Sequence, residues 1–228
     1  MFFGREKSMI ADRLVLGTAN FVNEYNGMIC KNVPGILSYA QKIGINAIDI
    51  ATAYKTENLG DSNFRRTLKI ANSEEAYKLR TEVAHIGNCL MAHCPKAIYP
   101  REWIRGLNLK TGVSVYSPQD LNNEIQSWAD VIQAPYSIYD RRFEDIFRVL
   151  KASGKIIQVR SVFLRGRVLK VLEPWKAVAF CLMNPNIDHV IIGTDSLEQL
   201  KEAVEPLLKL ESYKTDDLNF IDPRKWGK

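Results

Sequence analysis

Asp49 and Tyr54 stand five residues apart in Gly44-Ile45-Asn46-Ala47-Ile48-Asp49-Ile50-Ala51-Thr52-Ala53-Tyr54. A phenol beside a carboxylate becomes a proton donor when a nearby cation tunes it. The run Ala47–Ile50 is too apolar for a surface loop and reads as a buried strand. Tyr54 then falls just past its C-terminal end, where parallel α/β barrels keep their reactive groups. Which residue supplies the cation decides what this pair can do.

Composition bounds the setting. The chain has 228 residues, 46% hydrophobic and 25% charged, as in an ordinary folded domain. Its net charge of +5 is mild, and no basic run exceeds Arg65-Arg66 or Arg141-Arg142, which weighs against a nucleic-acid partner. Cys30, Cys89, Cys94 and Cys181 read as the reduced thiols of a cytosolic protein. Neither a signal peptide nor a membrane-spanning run is visible, so a soluble cytoplasmic protein is expected.

Short β-branched, apolar runs alternate with helical patterns. Strands are expected at Arg13–Ala19, Ala47–Ala51, Tyr77–Ala84, Cys89–His93, Thr111–Tyr116, Val131–Ala134, Ile156–Val162 and His189–Gly193. Helices are expected at Val33–Ile43, Glu57–Ala71, Pro100–Leu107, Pro118–Trp128, Phe143–Ser153, Pro174–Met183 and Leu197–Leu210. Ser196 with Gln199 reads as a capping box, and Gly44 and Gly154 as C-caps. Alternation of this kind means a parallel sheet covered on both faces, and eight strands close naturally into a compact (β/α)8 TIM barrel. Only residues 85–88 separate the third and fourth expected strands, too few for a crossover helix, so a helix is expected to be lost there. No linker or repeat is seen, and residues 1–228 read as one domain.

At this point the residues resemble the aldo-keto reductases. Leu16-Gly17-Thr18-Ala19 looks like that family's first strand and loop, and Asp49…Tyr54 with Glu57-Asn58-Leu59-Gly60 like its Asp-Thr-Ala-x-x-Tyr segment. Gly112-Val113-Ser114-Val115-Tyr116-Ser117, Val131–Ser137 with Asp140-Arg141-Arg142, Arg160–Gly166 and Ile192–Leu200 look like its fifth to eighth strands. The resemblance implies a barrel that reduces a small-molecule carbonyl with NADP or NAD. It implies a tetrad of Asp, Tyr, Lys and His, in which Tyr donates a proton, Lys tunes it and His orients substrate. Asp49 and Tyr54 match directly. His93, in an apolar-strand-then-His-x-Pro motif, matches the histidine, with His85 as rival. The family's third strand commonly ends in Thr-Lys, and aligning it with Thr81-Glu82 puts Glu82 where the lysine belongs. Lys55 and Arg80 remain as other cations.

On the cofactor side the resemblance implies Gly17, Thr18, Ser114, Gln133, Arg160, Ser161, Phe163, Leu164, Gly193, Thr194, Ser196 and Gln199. Gln133, beside Ser114, would hydrogen-bond the nicotinamide amide. Backbone N–H groups between Gly193 and Ser196, at a helix start, would hold phosphate. Arg160 stands where many relatives stack an aromatic ring, and Ala203 where an adenine-contacting Asn is common. The stretch Lys170–Asp188 is short for a cofactor-covering segment. No metal is expected, because Cys89, His93 and Cys94 lack a second ligand pair.

Three functions are compatible with these residues. The first is a nicotinamide-dependent reductase of an aldehyde, ketone or sugar derivative. The second is a catalytically degenerate barrel that binds a nucleotide or sugar or regulates a partner. The third is non-redox acid–base chemistry by Asp49, Glu82, Tyr54 and His93. The oligomeric state is not legible.

Overall fold

The computed structural model describes residues 8–22, 30–56, 63–72, 88–96 and 109–212. Its strands are β1 (Leu14–Gly17), β2 (Ala47–Ala51), β3 (Arg65–Ile70), β4 (Cys89–Ala92), β5 (Lys110–Ser114), β6 (Val131–Pro135), β7 (Ile156–Arg160) and β8 (His189–Gly193). Each pairs in parallel with the next, and β8 pairs with β1, closing the barrel. The described helices are α1 (Met9–Arg13), α2 (Val33–Lys42), α3 (Asn123–Trp128), α4 (Glu144–Ala152), α5 (Pro174–Leu182) and α6 (Leu197–Ser212).

Period-two alternation sorts the strand residues into two layers. Ile48 and Ile50 of β2, Leu68 and Ile70 of β3, Val113 of β5, Ile132 and Ala134 of β6 and Val190 and Ile192 of β8 join the large apolar cluster that includes helix residues Ile36, Phe147, Val178 and Leu200. The intervening residues face the lumen. A small apolar cluster of Cys89, Met91 and Val131, with Ile156 against it, fills part of that lumen. Gly112 is needed there, because a Cβ would lie 2.9 Å from both Met91 Cε and the Val131 carbonyl oxygen.

The third strand is the main correction. Residues 65–70 form β3, where the sequence suggested the end of a helix over Glu57–Ala71. Thr67 and Lys69 alternate with Leu68 and Ile70, and pairing with β2 and β4 buries both sets. Packing on both faces decides for strand over a helical spacing that read equally well locally. The expected strand Tyr77–Ala84, the helix Pro100–Leu107, Glu57 to Gly60 and the tail beyond Ser212 lie outside the described residues. With β3 at Arg65–Ile70, the four-residue gap that suggested a lost helix disappears; residues 71–88 connect β3 to β4. The short connection is instead the one from β2 to β3, residues 52–64.

The remaining expectations shift by a few residues. The helix read over Pro118–Trp128 is split into a 3-10 turn, Pro118–Asp120, and α3, whose start is capped by Asn122 accepting from the Ile125 N–H at 2.9 Å. Gly44 and Gly154 follow α2 and α4 with φ of 92° and 77°, the left-handed backbone expected of C-cap glycines. At α6, Ser196 accepts from the Gln199 N–H (3.2 Å), and the Gln199 side chain reaches back to the Asp195 N–H (2.8 Å).

Candidate active site

β2 and β3 carry a buried ion pair to the C-terminal mouth of the barrel. Asp49 faces the lumen, and Lys69 reaches it from the neighbouring strand, with Nζ 2.6 Å from Asp49 Oδ2. Both are almost wholly buried, at 3% and 2% exposure. The same ammonium lies 3.4 Å from the Tyr54 hydroxyl and 4.9 Å from the centre of its ring.

Tyr54 is presented by a 3-10 turn, Thr52–Tyr54, that follows β2 and ends in Lys55 at φ 55°. Two buried hydroxyls hold this turn to the barrel. Thr56 accepts from the Ala51 N–H at 3.1 Å, and Thr18 donates to the Asp49 carbonyl at 2.9 Å while lying 3.0 Å from Thr56 Oγ1. His93 directly follows β4, its backbone N–H donating to Ile70 at 2.9 Å. Its Nε2 lies 3.4 Å from the Tyr54 hydroxyl, with the rings edge to face at 5.3 Å. Lys69 and His93 therefore meet at one phenolic oxygen, with Asp49 behind the lysine.

The electrostatics follow from burial and charge. Burial pushes the Tyr54 phenol above its ordinary pKa, Lys69 draws it back and Asp49 pushes it up, for a net rise. Burial alone would lower the Lys69 pKa. Asp49, seconded by Tyr54, outweighs that and holds the ammonium above its ordinary pKa. The phenol thus keeps its proton at neutral pH and faces a charged ammonium that would stabilise the phenolate.

The phenol opens onto a cavity of about 730 Å³. Its walls include Gly17, Thr18, Ser114, Arg160, Ser161, Phe163, Leu164, Gly193, Thr194 and Gln199. Ten of the twelve residues expected on the cofactor side thus line it. Gln133 and Ser196 do not. Gln133 is fully buried beneath the mouth, its amide donating to Asp49 Oδ1 at 3.0 Å and accepting from Lys69 at 3.4 Å. Its amide is engaged by the ion pair in this structure. Ser196 instead caps α6 and accepts from Thr194 through its carbonyl at 2.7 Å.

Arg160 is held by three neutral groups, Ser114 Oγ (3.2 Å), Ser161 Oγ (3.2 Å) and the Val115 carbonyl (2.9 Å). Its guanidinium lies 4.4 Å over the ring of Tyr116, a half-exposed aromatic in the cavity wall. After it, Ser161, Leu164 and Arg165 adopt positive φ (61°, 46° and 54°), followed by Gly166 at 80°. Left-handed backbone at non-glycine residues concentrates where a loop is shaped for a ligand.

Glu82, read from sequence as the replacement for the tetrad lysine, lies outside the described residues, as do Arg80 and His85. The position it was assigned is taken by Lys69, so the cation is present. Lys69 was missed because its segment reads as helix. The available signal was the alternation Thr67-Leu68-Lys69-Ile70, which sends threonine and lysine to one face. Among the described residues, no three His, Cys, Asp or Glu side chains gather as metal ligands, and no helix is long and apolar enough to cross a membrane.

Comparison by sequence, with family models and with curated proteins, finds no match. Comparison with solved structures does. A Pseudomonas aeruginosa protein described as an aldo-keto reductase, PA4992, superposes with a TM-score of 0.68 at 18% identity, over 89% of this chain and 91% of that one. The aldo-keto reductase AKR11C1 of Bacillus halodurans, in its holo form, gives 0.67 at 16% identity over 86% of each chain. This chain has the aldo-keto reductase fold. At such low identity the likeness speaks for the fold, and the chemistry rests on the side chains above.

Proposed function

We propose that this protein is an aldo-keto-reductase-type oxidoreductase that reduces an aldehyde, ketone or sugar carbonyl with a nicotinamide dinucleotide. One observation carries the reading: a single phenolic oxygen lies 3.4 Å from Lys69 Nζ and 3.4 Å from His93 Nε2, with Asp49 holding the lysine. That set supplies a proton donor, its tuning cation and a second polar group toward a substrate oxygen.

The cavity fits the cofactor. Asn20 in its wall keeps a buried amide oxygen without a partner among the described residues, a polar atom suited to a ligand donor. At Gly193 a Cβ would meet nothing within 4 Å, so the backbone there can be approached closely. Gly17, Gly193 and Thr194 would take the phosphate side, and Ser114 and Arg160 the nicotinamide side. A dihydronicotinamide, when bound, supplies hydride to the carbonyl carbon.

The chain's own residues do the rest. The Tyr54 O–H bond breaks as its proton passes to the carbonyl oxygen, so the carbonyl becomes an alcohol. Lys69 stabilises the phenolate left behind, and Asp49 keeps Lys69 charged and aimed. His93, close to the same oxygen, orients the carbonyl toward Tyr54. Solvent returns the proton to Tyr54 after release.

Of the two alternatives read from sequence, the degenerate binding barrel leaned on Glu82 in the lysine's place, a lost crossover helix and the short Lys170–Asp188 segment, and non-redox acid–base chemistry leaned on Glu82. Lys69 beside Tyr54 favours the reductase reading over both. The test is titration with reduced NAD and NADP, followed by tryptophan fluorescence, then oxidation of the bound nucleotide by a panel of aldehydes, ketones and sugars. Saturable binding and carbonyl-dependent oxidation are expected; no binding of either nucleotide at millimolar concentration would sink the proposal.

A further inference from the structure

We infer that Gln158, acting with Thr67 through Gln133, is a positioning residue that braces the Lys69–Asp49 pair from within the barrel. The inference rests on the reading of Tyr54 as proton donor tuned by that pair. Four strands contribute. Lys69 donates to Gln133 Oε1 at 3.4 Å; Gln133 Nε2 donates to Asp49 Oδ1 at 3.0 Å and to Gln158 Oε1 at 3.4 Å. Gln158 Nε2 in turn donates to Thr67 Oγ1 at 3.4 Å.

The register explains why these groups meet. Asp49 and Thr67 are opposite one another on β2 and β3, and Gln133 and Gln158 are opposite one another on β6 and β7. In a closed eight-stranded barrel, β2 faces β6 and β3 faces β7 across the lumen. The hydrogen bonds therefore cross-brace opposite walls just below the mouth. Barrel interiors are ordinarily filled by branched apolar side chains, and here the apolar set Cys89, Met91, Val131 and Ile156 forms a separate cluster. A buried glutamine is costly unless fully bonded, so its presence among these partners is informative.

The brace has a direction. The Gln133 amide has its oxygen toward an ammonium and its NH2 toward a carboxylate. Turned over, it would set NH2 against Lys69 and oxygen against Asp49. Gln158 reinforces the first orientation by accepting the second Gln133 N–H, and Thr67 anchors Gln158. None of these three groups touches the Tyr54 hydroxyl; they act through Lys69 and Asp49. Among the described residues, Asp49 and Tyr54 favour the charged form of Lys69 and Arg160 opposes it.

The test compares Gln158→Leu, Thr67→Val and Gln158→Glu in the full chain. Loss of the brace lets the Lys69–Asp49 geometry relax, lowering kcat for carbonyl reduction about ten- to a hundredfold, as misplacement of a reacting group does. KM and the dissociation constant of reduced nucleotide stay close to wild type. The alkaline limb of the pH–rate profile moves to lower pH, because Gln133, no longer held by Gln158, can turn its oxygen away from Lys69 and leave the ammonium less stabilised. Thr67→Val, nearly isosteric, gives the same effects in milder form and keeps the test alive if the leucine variant does not fold.

Gln158→Glu is the rescue. A neutral carboxylic acid accepts from Gln133 through C=O and donates to Thr67 through O–H, reproducing the amide. Burial raises a carboxyl's pKa, so this variant recovers kcat at mildly acid pH and loses it as the group ionises. A leucine variant with wild-type kcat and an unmoved alkaline limb overturns the inference, as does a valine variant with no effect. If the wild-type protein reduces no carbonyl, the proposed function fails by itself. The brace is then judged by denaturant unfolding between neutral and strongly alkaline pH. Gln158→Leu should lose stability at lower pH than wild type; parallel curves would overturn it.

Discussion

Lys69 donates to Asp49 across 2.6 Å while the same nitrogen lies 3.4 Å from the Tyr54 hydroxyl. One ammonium from β3 thus ties the carboxylate of β2 to the phenol just beyond that strand. The pair is buried, so neither partner is cheap to remove.

Lys69→Met should therefore have two separable consequences. Carbonyl reduction should fall by about a thousandfold or more, the loss of a group that tunes a general acid. Stability should fall by about 3–5 kcal/mol because Asp49 is left buried and unpaired. Adding Asp49→Asn should recover much of the stability and none of the activity, measured by urea unfolding alongside steady-state rates. A single variant as stable as wild type would show that the ion pair is not desolvated as described.

Alkaline pH should act on both rate and stability. Tyr54 must be protonated to donate, and burial raises its pKa, so the reduction rate should hold through neutral pH and fall only above about pH 10. For stability, the folded pKa values of Lys69 and Tyr54 lie above their unfolded values. Their contribution is present below the unfolded pKa and is lost as pH rises through the folded one. Tyr39 and Tyr136 are raised as well, by burial first and by their bonds to Glu205 and Glu144. Unfolding free energy should thus be level near neutrality, begin to fall from about pH 8.5 as the buried thiols resist ionising, and fall more steeply above about pH 10; a level curve through about pH 11 would contradict this.

The thiols should react unequally. Cys30, Cys89 and Cys181 are buried, and burial pushes the Cys89 thiol up to about 12 and raises those of Cys30 and Cys181 as well. Cys94, beside His93, is partly exposed. Titration with a chromogenic disulfide on the native protein should modify Cys94 fast and the other three only on unfolding. Two or more fast thiols would refute the burial.

Gly112→Ala should destabilise by about 1–3 kcal/mol, as overpacking of a tight core does. The new methyl would press on Met91 Cε and the Val131 carbonyl, and only the former can move aside. Thermal unfolding measures it, and an unchanged midpoint would contradict the packing described.

The sequence was most legible where one period dominates. The strands at Ala47–Ala51, Val131–Ala134 and His189–Gly193 are mostly apolar runs bounded by turns, and they fold within a residue of expectation. The Asp49–Tyr54 spacing located the mouth because it straddles a strand end. Lys69 was hidden by an ambiguity that is physical. Residues 64–71 satisfy a helical spacing and a strand alternation alike, and pairing with β2 and β4 settles it. Gln133 shows a second limit, since its position on β6 was legible but its partners across the lumen were not. Gln158 carried no local signal, because its role depends on which strands face each other in the closed barrel.

The central claim is that Tyr54 donates the proton to a carbonyl under the influence of Lys69. Its most direct test compares wild type with Tyr54→Phe, measuring reduced-nucleotide binding by tryptophan fluorescence and nucleotide oxidation with a carbonyl panel. The account predicts the same nucleotide affinity in both proteins, turnover in the wild type, and a rate about a thousandfold lower or less in the phenylalanine variant. Equal turnover in the two, on any carbonyl in the panel, would contradict it.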